Sequence, residues 1–477
     1  NNATVRPKLV ITYGAPATPP DVTVITPDGG EIATGNTAFN VMWTSSDEAG
    51  ILSHDLYVSF DGGANFDGVA FGIPGADQSY TWFPHNRPTT SAVFRVEATD
   101  NTGVKAHDDS NAFFTIQAPP GGIVPTTLRD FDQPGTQPLT GEKLKSPANC
   151  ATCHGGYGQQ DVEPYFNWQG SMMANASVDP LFEAALVIAN QDAPDSGDLC
   201  LRCHDSRGWL NGRSVPTDGS AMLDEDKIGV SCNLCHRMVD PIPDPGNPAE
   251  DTAILAALDQ VPTAFGTGMF VVVPDAAARR GPFDDATSGH AFLVSPFHRE
   301  AAFCGTCHDV SNPAFTRDIS GAYLPNAFDQ PAASFHPDSI MAVERTYSEW
   351  LHSSYNTPEG VPSDVFGGNK ANVATCQDCH MADVTGQACN NPSAPVRSDL
   401  PHHDMTGGST WVPSLLASLH PTLVNPAAID AGILRARTML QNAAELSMVS
   451  ADSVLTVRVT NNTGHKLPTG YPEGRRM

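Results

Sequence analysis

Between residues 21 and 117 apolar and polar positions alternate. Runs such as Phe39-Asn40-Val41-Met42-Trp43, His54 to Phe60 and Val93-Phe94-Arg95-Val96-Glu97-Ala98 have period two, and Gly, Asp, Asn and Pro interrupt them at strand-length spacing. The pattern predicts an all-β sandwich over residues 20–118. Ahead of it lie a strand-like run, Lys8 to Tyr13, and a proline-rich break, Ala15 to Pro20, so residues 1–19 read as the end strand of a preceding domain or as a linker. After it, Ala118-Pro119-Pro120-Gly121-Gly122 opens a predicted linker over 119–140. From residue 141 the alternation is lost. Asp179-Pro180 predicts a helix over Leu181 to Asn190, with Asp as N-cap and Pro at the first helical position. A second helical period runs over about 430–447, around Leu434, Met439, Leu440 and Leu446. Alternation returns at Val454, Leu455, Val457 and Val459, predicting a β segment over 451–477 that reads as truncated. The fold class is multidomain: an all-β sandwich, then a mostly irregular and α domain over 141–450, then a C-terminal β segment.

Charge narrows the partners. The chain of 477 residues carries 26 Lys+Arg against 53 Asp+Glu, a net charge of -27. Nucleic acid and anionic membrane surfaces are therefore poor partners, because binding phosphates needs a basic face, and no nucleic-acid partner is expected. No run of 18 or more apolar residues occurs, so no membrane span is expected. The chain opens at Asn1 without a Met and reads as a mature or trimmed product.

The cysteines carry the chemistry. Ten of the 11 fall into five Cys-x-x-Cys-His motifs: Cys150/Cys153/His154, Cys200/Cys203/His204, Cys232/Cys235/His236, Cys304/Cys307/His308 and Cys376/Cys379/His380. Two thiols three positions apart reach the two vinyl groups of one porphyrin, and the following His binds the iron from the same side. On the order of 0.01 such motifs is expected by chance. Structural zinc sites pair such motifs two by two, which an odd number does not satisfy. A disulfide framework gives no reason for His after every second Cys. Five covalently bound c-type haems are therefore expected, with periplasmic or extracellular placement. Five porphyrins also supply apolar core, which accounts for the sparse regular structure after residue 141.

A six-coordinate iron needs a second axial ligand. Beyond the motif histidines the domain has His290, His298, His336, His352, His402, His403, His420 and His465, enough for bis-histidine ligation on numbers alone. Here a resemblance enters. Trp168 to Ala174 (WQGSMMA), Cys200-Leu201-Arg202-Cys203-His204, His298 to Asp309, Cys376 to Met381, His403-Asp404-Met405-Thr406-Gly407-Gly408 and Thr463 to Gly470 resemble a family of secreted multihaem cytochromes of respiratory bacteria that often carry immunoglobulin-like domains. The resemblance implies that a His ahead of a haem motif, or in a Thr-Gly-His-Lys turn, is the distal ligand of a neighbouring haem. It favours His298, His403 and His465, then His290. Related proteins show Trp-x-x-Ser-x-His where this chain has Met173. A thioether can ligate iron and raise its potential; Met173 is a fifth distal ligand or packs on a porphyrin face as core. His352 and Tyr355, in the parallel segment from Trp350, read as packing or outer-sphere residues, and Cys389 as a buried free thiol. Residues 20–118 resemble an immunoglobulin or fibronectin type III domain without the antibody disulfide. Within them Ser59 to Phe66 resembles a structural Asp-box hairpin, and His54, His85 and His107 are expected on the surface or in turns.

Three functions compete. Five cofactors exceed what one active site needs and suit an electron relay, with other redox proteins or extracellular acceptors as partners. An enzyme of the nitrite, hydroxylamine or tetrathionate type needs one iron with an open position; no Cys-x-x-Cys-Lys motif marks one, and histidines are in surplus. A homo-oligomer or filament subunit is suggested by the strand-like ends.

Overall fold

The computed structural model describes residues 18–470 except 36, 86, 119–124, 141–143, 274–277, 287 and 452–453. The strand expected at Lys8 to Tyr13 and the tail 471–477 lie outside the described residues. The chain divides into two compact bodies, residues 1–125 and 126–477.

The first body is a two-sheet sandwich. Its strands are β1 (Asp21–Thr26), β2 (Ile32–Thr34), β3 (Phe39–Ser46), β4 (Ile51–Ser59), β5 (Asp67–Pro74), β6 (Ser79–Trp82), β7 (Thr89–Asp100), β8 (Lys105–Asp109) and β9 (Phe114–Gln117). One sheet has the order β1-β3-β6; the other runs β2-β9-β7-β4-β5, with β8 beside β7. Alternation decides what is buried: on β3 Val41 and Trp43 point inward while Met42 and Thr44 face solvent. Trp43 and Trp82 from the first sheet meet Leu56, Val58, Phe94 and Phe114 from the second in one apolar core. His54 departs from its expected surface position. It is fully buried, shares the inward phase of Leu56 and Val58, stacks edge-on to Trp43 at 5.1 Å and has Nε2 2.7 Å from the Ser45 hydroxyl. The hairpin from Ser59 is closed on itself: Gly63 N–H donates to Ser59 Oγ (2.8 Å), and Asn65 donates to both Asp61 oxygens (2.9 and 2.7 Å).

The second body is built from short helices and two- or three-stranded pieces. It includes residues 126–140, which the sequence places in a linker. Phe131, Gln133 and Thr136 are buried there, and backbone N–H groups of Gly135, Thr136 and Leu139 donate to Gln260, Phe270 and Leu210 carbonyls (3.0, 3.0 and 2.9 Å). The segment is poor in apolar periodicity, so only tertiary hydrogen bonding reveals that it is structured. The helix expected after Asp179 spans Pro180–Asp192, with Asp179 Oδ1 accepting from Leu181 N–H at 2.9 Å. The helix expected to reach residue 447 is Pro426–Asn442. Beyond it Glu445-Leu446-Ser447-Met448 alternates, and Ala444–Ala451 pairs antiparallel with Val454–Asn461. On one face of this hairpin Leu446, Met448, Leu455, Val457 and Val459 are 51–66% exposed.

Candidate functional site

The five Cys-x-x-Cys-His motifs sit on short helices: Ala148–His154, Gly197–His204, Cys232–Cys235, Ala301–Gly305 (which runs out just before Cys307) and Cys376–His380. Helical spacing of three turns both sulfurs of a motif toward one face. Two of these helices are capped by hydroxyls: Ser231 Oγ accepts from Leu234 N–H, and Thr375 forms a capping box with Asp378, which also pairs with Lys370.

All ten motif thiols and all five motif imidazoles line one cavity of about 2390 Å³. A site for one small molecule encloses roughly 300–1,000 Å³, so this space suits several large ligands. Its wall also carries His290, His298, His403, His465 and Met173, while His336, His352, His402 and His420 stay outside it. The histidines singled out by resemblance are thus the ones brought to the cavity.

The ring nitrogens are arranged for metal binding. Nδ1–H of His154, His236, His380 and His403 donates to the carbonyls of Ala388, Arg280, Thr406 and Pro401 at 2.8, 2.7, 2.7 and 2.8 Å. Each bond fixes the tautomer that leaves Nε2 as the lone-pair donor. Burial pushes His204 down to about 4 and His298 and His403 down to about 3, and lowers His236 and His380 as well. The imidazoles are neutral at physiological pH, the form that ligates iron.

Two histidine pairs face each other at matching separation. Ring centroids are 6.3 Å apart for His380 and His465, and 6.2 Å for His236 and His403. Two metal–nitrogen bonds of about 2 Å each, plus the two ring radii, require about 6 Å. His298 also approaches His236, at 5.7 Å, but its Nε2 lies 3.0 Å from the Cys235 carbonyl and its Nδ1 3.2 Å from Ser295 Oγ. Both its nitrogens are engaged, so the geometry favours His403 over His298 opposite His236. His290 is exposed and bonds the adjacent Ala291 carbonyl at 3.0 Å. Met173 is half-buried, with its carbonyl accepting from Val230 N–H at 2.8 Å. His204 is stacked flat on Phe182, centroids 3.9 Å apart. Tyr355 donates its hydroxyl to the Asn462 carbonyl at 2.6 Å, a packing role.

Among the described residues no three His, Cys, Asp or Glu side chains converge as a closed ion site. The donors come instead as sulfur pairs and imidazole pairs. That set fits haem c, whose porphyrin supplies the four equatorial nitrogens itself.

Residues 149–237 match the family described as cytochrome c554 and c-prime. That segment is similar to a c-type cytochrome. No curated protein matches the chain. Solved structures similar to it include fibronectin(III)-like modules of Clostridium thermocellum CbhA, with 20% identity and TM-score 0.18 over 21% of this chain and 47% of that one. A second is an Fn3-like protein from Clostridium thermocellum (20% identity, TM-score 0.14, 21% and 92% covered), and a third is murine CRIg (11%, TM-score 0.15, 21% and 98%). The chain thus spans about half the length of the first of these. The sandwich described above rests on its own strand order.

The cavity and its surroundings hold residues that motif reading gives no role. Arg202, inside the second motif, is buried; its guanidinium donates to the carbonyls of Gly268 (2.6 Å) and Pro134 (2.8 Å) and stacks on Trp209. Arg280 is buried against Asp251 and supplies the carbonyl that orients His236. Cys389 lines the cavity between Ala388, which holds His154, and Asn390, which donates to the Cys153 and Thr152 carbonyls (2.8 and 3.0 Å). A buried arginine has no local sequence signature, and a backbone carbonyl has none at all.

Proposed function

We propose that this protein is a secreted multihaem c-type cytochrome that carries electrons through five covalently held haems to redox proteins or extracellular acceptors. The observation that carries the reading is the convergence of ten paired thiols and five motif imidazoles on one cavity. Cys150/Cys153, Cys200/Cys203, Cys232/Cys235, Cys304/Cys307 and Cys376/Cys379 would hold the groups, with His154, His204, His236, His308 and His380 beneath the irons. Each haem, when bound, supplies a one-electron iron couple. The chain sets the rest. Backbone carbonyls hold the imidazoles in register, apolar walls including Trp168, Phe182 and Phe303 exclude water, and an acidic surface of net charge -27 stabilises the ferric state and lowers the potentials.

His403 and His465 are the distal ligands best supported, because each presents its ring to a motif His at the separation given above. His290, His298 and Met173 complete the set of distal candidates. Intact mass and the reduced spectrum test the core reading: five haem additions and a sharp α-band are expected, and a polypeptide weighing only its amino acids ends it. Electron spin resonance separates carrier from enzyme, since a ferric high-spin signal that shifts with cyanide or nitrite marks an open catalytic iron. The exposed apolar face of the hairpin at 444–461 supports a second reading, a subunit of a larger assembly. A sedimentation coefficient unchanged across dilution and monomeric in value rejects it.

A further inference from the structure

We infer that the five haem sites are wired as a branched chain with the fourth motif, Cys304/Cys307/His308, at the junction: the first joins the third, the third joins the fourth, and the second and fifth each join the fourth. The inference rests on the haem reading above and adds the spatial order of the sites.

Contacts between the motif segments define the joints. His298, just ahead of the fourth motif's helix, has Nε2 3.0 Å from the Cys235 carbonyl of the third. The Cys150 thiol neighbours Cys232, Cys203 neighbours Cys307, and Cys304 neighbours Cys376.

Further hydrogen bonds brace three of the four joints independently of the sulfurs. Lys145 N–H, just ahead of the first motif, donates to Asn233 Oδ1 inside the third at 2.9 Å. Gly268 is wedged between the second and fourth motifs: its N–H donates to the Thr306 carbonyl (2.8 Å) and its carbonyl accepts from Arg202 Nε (2.6 Å). Gln377, inside the fifth, donates to the Glu300 carbonyl (2.7 Å) at the start of the fourth motif's helix.

A motif sulfur marks where a porphyrin edge would be bonded, so motif segments braced against each other would bring two porphyrin edges together. Electron exchange weakens steeply with separation, and these contacts therefore set the route. Chain order is not route order. The second and third motifs are consecutive in sequence, yet the second reaches the third through the fourth. The first, second and fifth sites are the three ends, where electrons enter or leave.

The test is an iron map of the haem-loaded protein from anomalous scattering at the iron edge. The fourth iron is expected to have the second, third and fifth as near neighbours, and the first to have only the third. A linear order, or a fourth iron at an end, overturns the wiring while leaving the haem reading intact; a protein with no iron overturns the haem reading itself. Spin resonance of two variants gives a second readout. C304A/C307A should lose one haem and alter the coupled signals of three others, whereas C150A/C153A should lose one haem and alter one. Equal effects from the two variants would also refute the junction.

Discussion

A histidine ring has two nitrogens, and where Nδ1 is spent decides whether Nε2 can serve a metal. His403 spends Nδ1 on the Pro401 carbonyl and stands opposite His236, while its neighbour His402 pairs with Asp404 outside the cavity. His403→Ala and His465→Ala are each expected to turn one low-spin haem high-spin in the ferric spin-resonance spectrum, and His402→Ala to leave it unchanged. A high-spin signal from His298→Ala and none from His403→Ala would reverse the assignment opposite His236. If Met173 is a ligand, the oxidised protein has the weak far-red band of thioether-bound haem, and Met173→Ala removes it; persistence of the band assigns Met173 to packing. His54 carries a different expectation. Burial lowers its pKa in the folded sandwich, against about 6.5 in the unfolded chain. Below that pH the unfolded state binds a proton that the folded state refuses, so stability falls as pH falls. Hydrogen exchange in Ile51–Ser59, corrected for intrinsic rates, should show less protection at about pH 5.5 than at about pH 7.5, and His54→Phe should abolish the difference. The inward phase of His54 was legible from Leu56 and Val58. The carbonyls that orient the cavity imidazoles were not, because backbone atoms carry no sequence identity.

Elements of the second body are short, so single braces matter. Gly268 has φ +69°, and a Cβ there would lie 2.8 Å from Cys203 Sγ. Gly268→Ala therefore meets both backbone strain and a sulfur clash, and should cost about 2 kcal/mol or more, read as a lowered Tm. Arg202→Met would leave the Gly268 and Pro134 carbonyls without their donor in a dry interior, with a loss of about 2–3 kcal/mol. Asp179→Ala, removing a half-buried N-cap, should cost about 1 kcal/mol, read as a lowered Tm. The start of that helix was legible, since a cap and a proline act locally. The end of Pro426–Asn442 was not, because Ala443 to Met448 suits helix or strand and the cross-strand partner Val454–Asn461 decides.

At the scale of the whole molecule the cavity dominates the energetics. Its walls carry apolar side chains such as Trp168, Phe182 and Phe303, which stay in contact with water unless something covers them, and each costs about 1.5–3 kcal/mol against full burial. On the haem reading the second body should fold only with its cofactors, while the sandwich, whose core is complete, folds without them. Expressed without haem attachment, the chain is expected to keep protected amides in the β1–β9 strands and to lose protection across residues 126–470. Equal protection in both bodies would show that side chains alone fill the space.

The sequence by itself determined the proposed attachment chemistry, because Cys-x-x-Cys-His is a local arrangement carried on one turn of helix. It determined the sandwich for the same kind of reason: period-two alternation assigns faces residue by residue. Tertiary structure alone decided that the first motif meets the third, that residues 126–140 belong to the second body, and that His403 faces His236. Those are contacts between segments far apart in the chain, and their energy lies in sulfur, carbonyl and imidazole partners that become neighbours only once the chain has folded.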